Sequence, residues 1–249
     1  FTYSSVFEAV MQFLSFHKIY AANRNIKINF FIFMETGRSN YHLNISKTYK
    51  ISRRIDDLYG LDREKRDLFF TVLQKNFMLL EKAGNRMPNI KVIRLQNLEA
   101  DFIPYYLITR KIVDTSPNVG HIIYSNDHDM LQCLNDNVFV YVKVPKVKRL
   151  VRKNEALQSY LKFRECVPDS YLPLIMAIIG DIGDNVDGIK GIGGKTIEKI
   201  IEEVVQLTGG IENLFHNVVK GKPIFNPDLT SHPNKYINTI VQKELTENT

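Results

Sequence analysis

Apolar residues recur along the first part of the chain in two alternating patterns. Residues 5–20 and 66–83 carry apolar side chains at helical spacing, which predicts two amphipathic helices packed on a sheet. Short apolar, aromatic and β-branched runs are typical of strands buried on both faces of a parallel sheet. These runs cover residues 28–34, 90–94, 121–124 and 137–142. Because strands alternate with helices, we expect an α/β fold with a parallel sheet flanked by helices.

The pattern changes after Pro168, where helices and glycine-punctuated turns replace the strands. Residues 220–236 are rich in proline and asparagine and are predicted to form a loop or tail. We therefore divide the chain into an α/β core at residues 1–160 and a helical region with a C-terminal tail at residues 161–249.

Composition narrows the class of protein. The 249 residues carry a formal net charge of +6 and a pI near 9.1, which favours a polyanionic partner. We see no apolar stretch of the roughly 20 residues that would span a bilayer, and Cys133 and Cys166 are too few for a disulfide framework or zinc cluster. We expect an intracellular protein of the cytoplasm, with no membrane association.

Acidic residues follow the predicted strands. In open α/β sheets the ligand site lies beyond the carboxyl ends of the strands, so these acids are expected to meet there. The candidates are Glu35, Glu99, Asp101, Asp127, Asp129, Asp181 and Asp184. Clustered carboxylates repel one another unless cations neutralise them, and hard oxygen ligands favour Mg²⁺ or Mn²⁺. Two such ions, roughly 4 Å apart, would support phosphodiester hydrolysis.

Each acid also has an ordinary structural interpretation. Asp127 and Asp129 could cap a following helix, Glu99 and Asp101 could complement a helix dipole, and Glu35 could be a turn residue. Their joint appearance after successive strands favours the metal site.

A glycine-rich segment, residues 180–196, is the most informative part of the chain. Gly191 and Gly193 are predicted to form a tight turn between two helical segments, where exposed backbone amides can hold a DNA phosphate and Lys195 adds charge. The expected DNA-binding residues of this turn are Gly191, Ile192, Gly193, Gly194, Lys195 and Thr196. Taken alone, the turn also fits a plain helix–loop–helix.

The preceding residues make the pattern specific. Gly-Asp-x-x-Asp-Asn at Gly180–Asn185, followed by Gly-Ile-Gly-x-Lys at Gly191–Lys195, resembles the signature of the 5′-nuclease family of flap endonucleases and 5′→3′ exonucleases. The resemblance extends over about residues 28–206. It implies a PIN-like sheet domain with a helical arch at about residues 49–66, and a C-terminal helix-three-turn-helix at which a K⁺ ion contacts the duplex.

The resemblance assigns roles residue by residue. Ser125-x-Asp127-x-Asp129 and Glu99-Ala100-Asp101 resemble ligand segments of the family, and Glu35 stands where the family usually has Asp. Further along, Tyr49-Lys50-x-x-Arg53 resembles the base of the arch. Lys50 and Arg53 would then act catalytically by clamping the scissile phosphate, while Tyr49 would stack on an unpaired base. A solvated basic helix face is the alternative for these residues.

Two departures from the family pattern bear on activity. Phe102 stands where bacterial and phage relatives usually have Asp, and the family's early Asp-x-Asn strand does not precede Phe1, which we expect to reflect truncation or processing. The basic run of residues 143–153 either flanks a DNA channel or forms a solvated hairpin.

The leading hypothesis is a monomeric, metal-dependent 5′ nuclease acting on DNA 5′ ends, flaps or RNA primers, alongside replication proteins. The first alternative is a catalytically impaired DNA-binding or assembly protein derived from the same family. The second is a small RNase with the same carboxylate sheet, which is disfavoured because such enzymes generally lack the glycine-rich turn.

Overall fold

A computed structural model describes residues 4–36, 63–114, 116–144, 147–163, 167–181, 186–226 and 228–247. The chain divides into two compact units, Phe1–Ile103 and Pro104–Thr249. The predicted core at residues 1–160 spans parts of both units, so that boundary stays a prediction. None of the described helices is long and apolar enough to cross a bilayer.

The first unit contains two parallel strands with helices on one face. Its elements are α1 Ser4–Ala22, β1 Phe30–Thr36, α2 Arg63–Gly84 and β2 Ile90–Gln96. In the parallel register Phe30 is opposite Ile90 and Thr36 is opposite Gln96. Alternate strand residues face the helices, and the buried core consists of Leu14, Met34, Leu80, Ile90 and Val92.

The end of α2 is fixed closely to β2. A Cβ atom at Gly84 would lie 2.5 Å from Val92 Cγ2, so a glycine is required for this close approach. The Val92 amide donates to Asn85 Oδ1 at 2.9 Å, and Asn85 Nδ2 donates to the Val92 carbonyl at 3.4 Å. These contacts set the point at which the chain turns from the helix into the strand.

The second unit begins with a mixed sheet. The segment α3 Phe102–Thr109 leads to β3 His121–Tyr124, β4 Val138–Val144 and β5 Val147–Val151. β3 and β4 are parallel, whereas β4 and β5 are antiparallel. The described residues of the basic run therefore lie mainly on a hairpin, its role beside DNA stays a prediction, and β5 is a strand that the apolar pattern did not predict.

Helices cover the inner face of this sheet. A 3₁₀ helix, His128–Cys133, lies between β3 and β4, and a second, Asp169–Tyr171, precedes α5. The remaining helices are α4 Ala156–Leu161, α5 Leu172–Ile179, α6 Gly194–Leu207, α7 Ile211–Val219 and α8 Lys235–Glu247. Fully buried residues from several of these elements form one core, among them Val140, Val151, Leu172, Ile175, Ile197, Ile201, Ile237 and Val241.

Most predicted elements are confirmed in type and position, including the helices at residues 5–20 and 66–83 and the loop before residue 235. One of the boundaries that differ bears on the site. The first strand continues to Thr36, so Glu35 lies within β1 and not after it, because the parallel pairing with β2 continues through Leu95 and Gln96. The predicted arch lies outside the described residues up to residue 62, and residues 63–66 form the first turn of α2.

Candidate functional site

The first unit carries three of the predicted carboxylates. Glu35 is exposed near the end of β1, and Glu99 and Asp101 come just before α3 begins at Phe102. Glu99 is only 7% exposed. A carboxyl group buried to this degree requires polar partners or a cation, which distinguishes Glu99 from an ordinary surface acid.

In the second unit, the Ser125–Asp129 segment is held by a chain of local hydrogen bonds. The Asp127 amide donates to Ser125 Oγ at 3.0 Å, and the Asp129 amide donates to Asp127 Oδ1 at 3.0 Å. Asp127 therefore caps the 3₁₀ helix, as the structural interpretation predicted, and this contact uses one of its two carboxylate oxygens. Asn126 Oδ1 accepts from the Lys143 amide at 2.9 Å and fixes the segment to β4.

Asp181 is held by a short antiparallel ladder. β6 Gly180–Asp181 pairs with β7 Val186–Asp187, and the Ile189 amide donates to the Ile178 carbonyl at 2.8 Å. The ladder separates α5 from the glycine-rich turn, so the turn directly follows a strand and not a helix as predicted. Asp184 lies in the part of the chain outside the described residues.

Two glycines allow this ladder to form. Gly180 has φ 74° and ψ 176°, a conformation essentially restricted to glycine. A Cβ at Gly180 would overlap the Gly188 nitrogen and lie 2.6 Å from the Val186 oxygen, while a Cβ at Gly188 would overlap the Ile179 carbonyl. The first glycine of the Gly-Asp signature is thus a steric requirement for placing Asp181.

Tyr160 packs on the segment that carries Asp127 and Asp129, and sequence reasoning did not find it. Its ring packs on His128, with centroids 4.3 Å apart and planes at 38°. Burial raises the pKa of Tyr160, and the nearby charges of Asp181 and Asp129 raise the pKa further. The two charges that raise this pKa, those of Asp129 and Asp181, belong to segments that are distant in sequence. No motif marked Tyr160, because its position depends on packing between α4 and the 3₁₀ helix.

The glycine-rich turn presents its backbone without obstruction. Gly191 has φ +87°, Gly193 is extended at the start of α6, and a Cβ built at either position meets nothing within 4 Å. Ile192 is buried in the core and anchors the turn, whereas Lys195 is exposed. The Thr196 amide donates to the Gly193 carbonyl at 2.9 Å, which begins the helix. This arrangement leaves open space where the prediction places a phosphate.

The described parts of the chain do not bring the predicted ligands together into a metal site. No group of three or more His, Cys, Asp or Glu side chains among the described residues is arranged to hold a metal ion. Tyr49, Lys50 and Arg53 lie outside those residues, as Asp184 does. The complete ligand set therefore stays a prediction.

Solved structures resemble the fold over nearly its whole length. A T5 5′-exonuclease with bound zinc ions aligns with a TM-score of 0.63 and 21% identity, covering 96% of this chain and 78% of that one. A bacteriophage T5 flap endonuclease, in a pseudo-enzyme-product complex with DNA and metal ions, aligns with a TM-score of 0.61 over the same shares. At this level of identity the similarity establishes the α/β fold.

Sequence relatives agree with these structures, although no family model matches the chain. A 5′-3′ exonuclease of Buchnera aphidicola subsp. Acyrthosiphon pisum is 25% identical over 206 residues, covering 83% of this chain and 62% of that protein. A 5′-3′ exonuclease of Aquifex aeolicus is 30% identical over 132 residues, covering 53% of this chain and 41% of that protein. The chain is thus similar to 5′-3′ exonucleases in sequence and to a T5 5′-exonuclease in fold.

The relatives that the chain matches differ widely in length. A DNA polymerase I of Caldicellulosiruptor bescii is 31% identical over 136 residues, which are 54% of this chain but 15% of that protein. The chain thus spans between 15% and 62% of the lengths of the three relatives named. The α/β fold is confirmed, whereas the arch and the helix-three-turn-helix stay predictions.

Proposed function

We propose that this chain is a structure-specific 5′ nuclease that hydrolyses phosphodiester bonds of DNA or RNA–DNA with bound divalent metal ions. The observation that carries the proposal is that α4 packs against two of the predicted site segments. Tyr160 lies on His128, between Asp127 and Asp129, and Leu161 lies near Gly194 at a turn whose backbone is open to a phosphate. Relatives described as 5′-3′ exonucleases support the same activity.

The donor set suits a hard cation. Glu35, Glu99 and Asp101 in the first unit, and Asp127, Asp129 and Asp181 in the second, offer only carboxylate oxygens, and Asp184 would add another. Oxygen donors of this kind favour Mg²⁺ or Mn²⁺. Two such ions would activate the attacking water and stabilise the leaving oxygen. The similarity to a T5 structure with bound divalent metal ions supports this assignment.

The chain's own residues would position the nucleic acid. The amides at the start of α6, with Lys195 and Thr196, would hold one duplex phosphate without reading sequence. A K⁺ ion at this turn belongs to the same proposal. Lys50 and Arg53 would place positive charge on the scissile phosphate, and Tyr49 would stack on an unpaired base.

Cleavage of a labelled 5′-flap duplex with Mg²⁺ or Mn²⁺ tests the proposal. We expect the wild-type chain to release the flap, and the double variant Asp129→Asn, Asp181→Asn to bind the duplex without cutting it. The matched control is Asp136→Asn, because Asp136 is an exposed acid that pairs with Lys153 at 3.0 Å. Cutting by the double variant would refute the proposal, and a wild-type chain that binds flaps without turnover would favour the impaired DNA-binding alternative.

A further inference from the structure

The sheet of the second unit has an outer face that carries aromatic side chains. Its inner face, which includes Val140, is fully buried in the core that the helices share. Since side chains alternate along a strand, Tyr141 on β4 lies on the opposite, outer face. The parallel register places Tyr124 of β3 opposite Tyr141, and Ile122 opposite Phe139. Two cross-strand pairs of large side chains therefore lie next to each other on this face, and we call these four residues the outer-face cluster.

The outer-face cluster is accessible on β3 and supported by β4. Tyr124 is 46% exposed and Ile122 is 51% exposed. The rings of Tyr124 and Tyr141 have centroids 4.9 Å apart, with their planes inclined at 42°, so each ring limits the movement of the other. The next residue of β4 on this face, Phe139, is about 7 Å away along the strand. Rings held in this way form a surface on which a flat group can stack.

The residues beside the cluster are basic. Lys143 follows Tyr141 on the same face of β4 and is exposed, and the Arg152 guanidinium carbon lies 6.0 Å from the centroid of the Phe139 ring. None of the strand positions on this face that the structure describes is acidic. An apolar protein partner would need only the rings, whereas rings flanked by cations favour a polyanion whose bases are unpaired. Sheet faces that carry aromatic residues bind single-stranded RNA in this way in other proteins.

We propose that the outer-face cluster is a stacking surface for single-stranded nucleic acid, with Tyr124 under a base and Lys143 beside a phosphate. Every base has a π face, so this surface would bind a strand without reading its sequence. Tyr124 directly precedes the Ser125–Asp129 segment, so the bound strand would lie next to that segment. The identity of this strand as the unpaired part of a substrate rests on the proposed nuclease function.

Fluorescence anisotropy of a labelled oligothymidylate, measured in EDTA, tests this surface apart from cleavage. For Tyr124→Ala we expect the Kd to rise about tenfold, because a base loses the ring on which it stacks. Tyr124→Phe retains the ring and should bind within about twofold of wild type. The matched control is Phe215→Ala, because Phe215 is an aromatic residue that is 37% exposed and lies on α7 instead of the sheet. This control should bind as wild type does.

A charge variant keeps the test decisive if Tyr124→Ala does not fold. Lys143→Gln leaves the rings in place, and the slope of log Kd against log salt concentration should become shallower by about 0.7, the effect of one phosphate contact on a single strand. An unchanged slope would overturn the inference. So would a Tyr124→Ala chain that binds as tightly as wild type or no more weakly than Phe215→Ala.

Flap cleavage with Mg²⁺, measured in parallel, distinguishes the two proposals. A wild-type chain that binds the oligothymidylate through Tyr124 but cuts no flap would overturn the nuclease function and support the stacking surface. A wild-type chain that cuts flaps but does not bind the oligothymidylate would support the nuclease function and overturn the stacking surface, in favour of a protein partner for this face.

Discussion

Replacing Gly180 by alanine should destabilise the chain and displace Asp181. The β6–β7 ladder brings the backbone at Gly180 against that of Gly188, with the Val186 oxygen 2.6 Å from the position of an added Cβ. These neighbours are backbone atoms, so they cannot rotate away as a flexible side chain would. The methyl group can be accommodated only if the ladder opens or shifts.

The magnitude follows from two separate effects. An alanine at φ 74° and ψ 176° adopts a conformation essentially restricted to glycine, which costs about 1–3 kcal/mol. Overpacking adds about 1–3 kcal/mol more. We expect Gly180→Ala to lower the free energy of unfolding by about 2–6 kcal/mol, and Gly188→Ala, which lacks the first effect, by about 1–3 kcal/mol.

Urea denaturation gives the free energy of unfolding for both variants, and flap cleavage by the remaining folded fraction reports the position of Asp181. Gly120→Ala is the control, because its added Cβ would meet only Phe139 at 3.8 Å. A Gly180→Ala chain within about 0.5 kcal/mol of wild type, the range of an ordinary surface change, would refute the steric account.

Three further predictions concern the turn, the pH dependence and the core. Gly193→Ala should leave stability within about 0.5 kcal/mol of wild type and raise the Kd for duplex DNA about tenfold; unchanged binding in a filter assay would argue against close phosphate approach. Burial raises the pKa of Asp169 above its ordinary value of 3.8. The contribution of Asp169 to stability is therefore complete below pH 3.8 and declines as the pH rises through the pKa of the folded state. Wild type should therefore lose its stability advantage over Asp169→Asn as the pH rises from 3 to 7, as measured by urea denaturation. An advantage that increases with pH would contradict the reasoning. Ile201→Ala should cost about 2–5 kcal/mol, whereas Val219→Ala, at a residue 82% exposed, should stay within about 0.5 kcal/mol in the same assay.

Local patterns were sufficient for most of the helices and longer strands, but not for β5, β6 and β7. Ile197, Ile200, Ile201 and Val204 follow a helical period, and all four residues are at most 3% exposed on α6. The end of β1 was misplaced because Glu35 is polar, yet its backbone still pairs with β2. The polarity of a residue indicates whether its side chain can face solvent, whereas the length of a strand is set by its pairing with the neighbouring strand.

Features that depend on contacts between distant segments could not be predicted in the same way. The sequence marked Gly180 as part of a signature, but the reason for the glycine is the backbone of Gly188, which reaches it only through the β6–β7 pairing. Tyr160 had no marker at all, because one tyrosine in a short helix resembles any other until its neighbours are known. The hydrogen-bonded cap at Asp127 was predicted as an alternative to metal binding. The cap uses only Oδ1 of the carboxylate, so it leaves Oδ2 for metal binding.

The placement of α4 suggests why the acids and the turn occur together in one unit. One end of α4 is fixed by Asp169, its Tyr160 ring packs on His128 between Asp127 and Asp129, and Leu161 at its other end lies near the start of α6. The glycine-rich turn and the Asp127–Asp129 segment are thus both supported by the same short helix. Since a displacement of about 1 Å at a reacting centre can reduce a rate a hundredfold, a common rigid support is what phosphodiester hydrolysis requires. Weakening the Asp169 contacts should therefore disturb both DNA binding and Mn²⁺ binding, whereas two independent sites would respond separately.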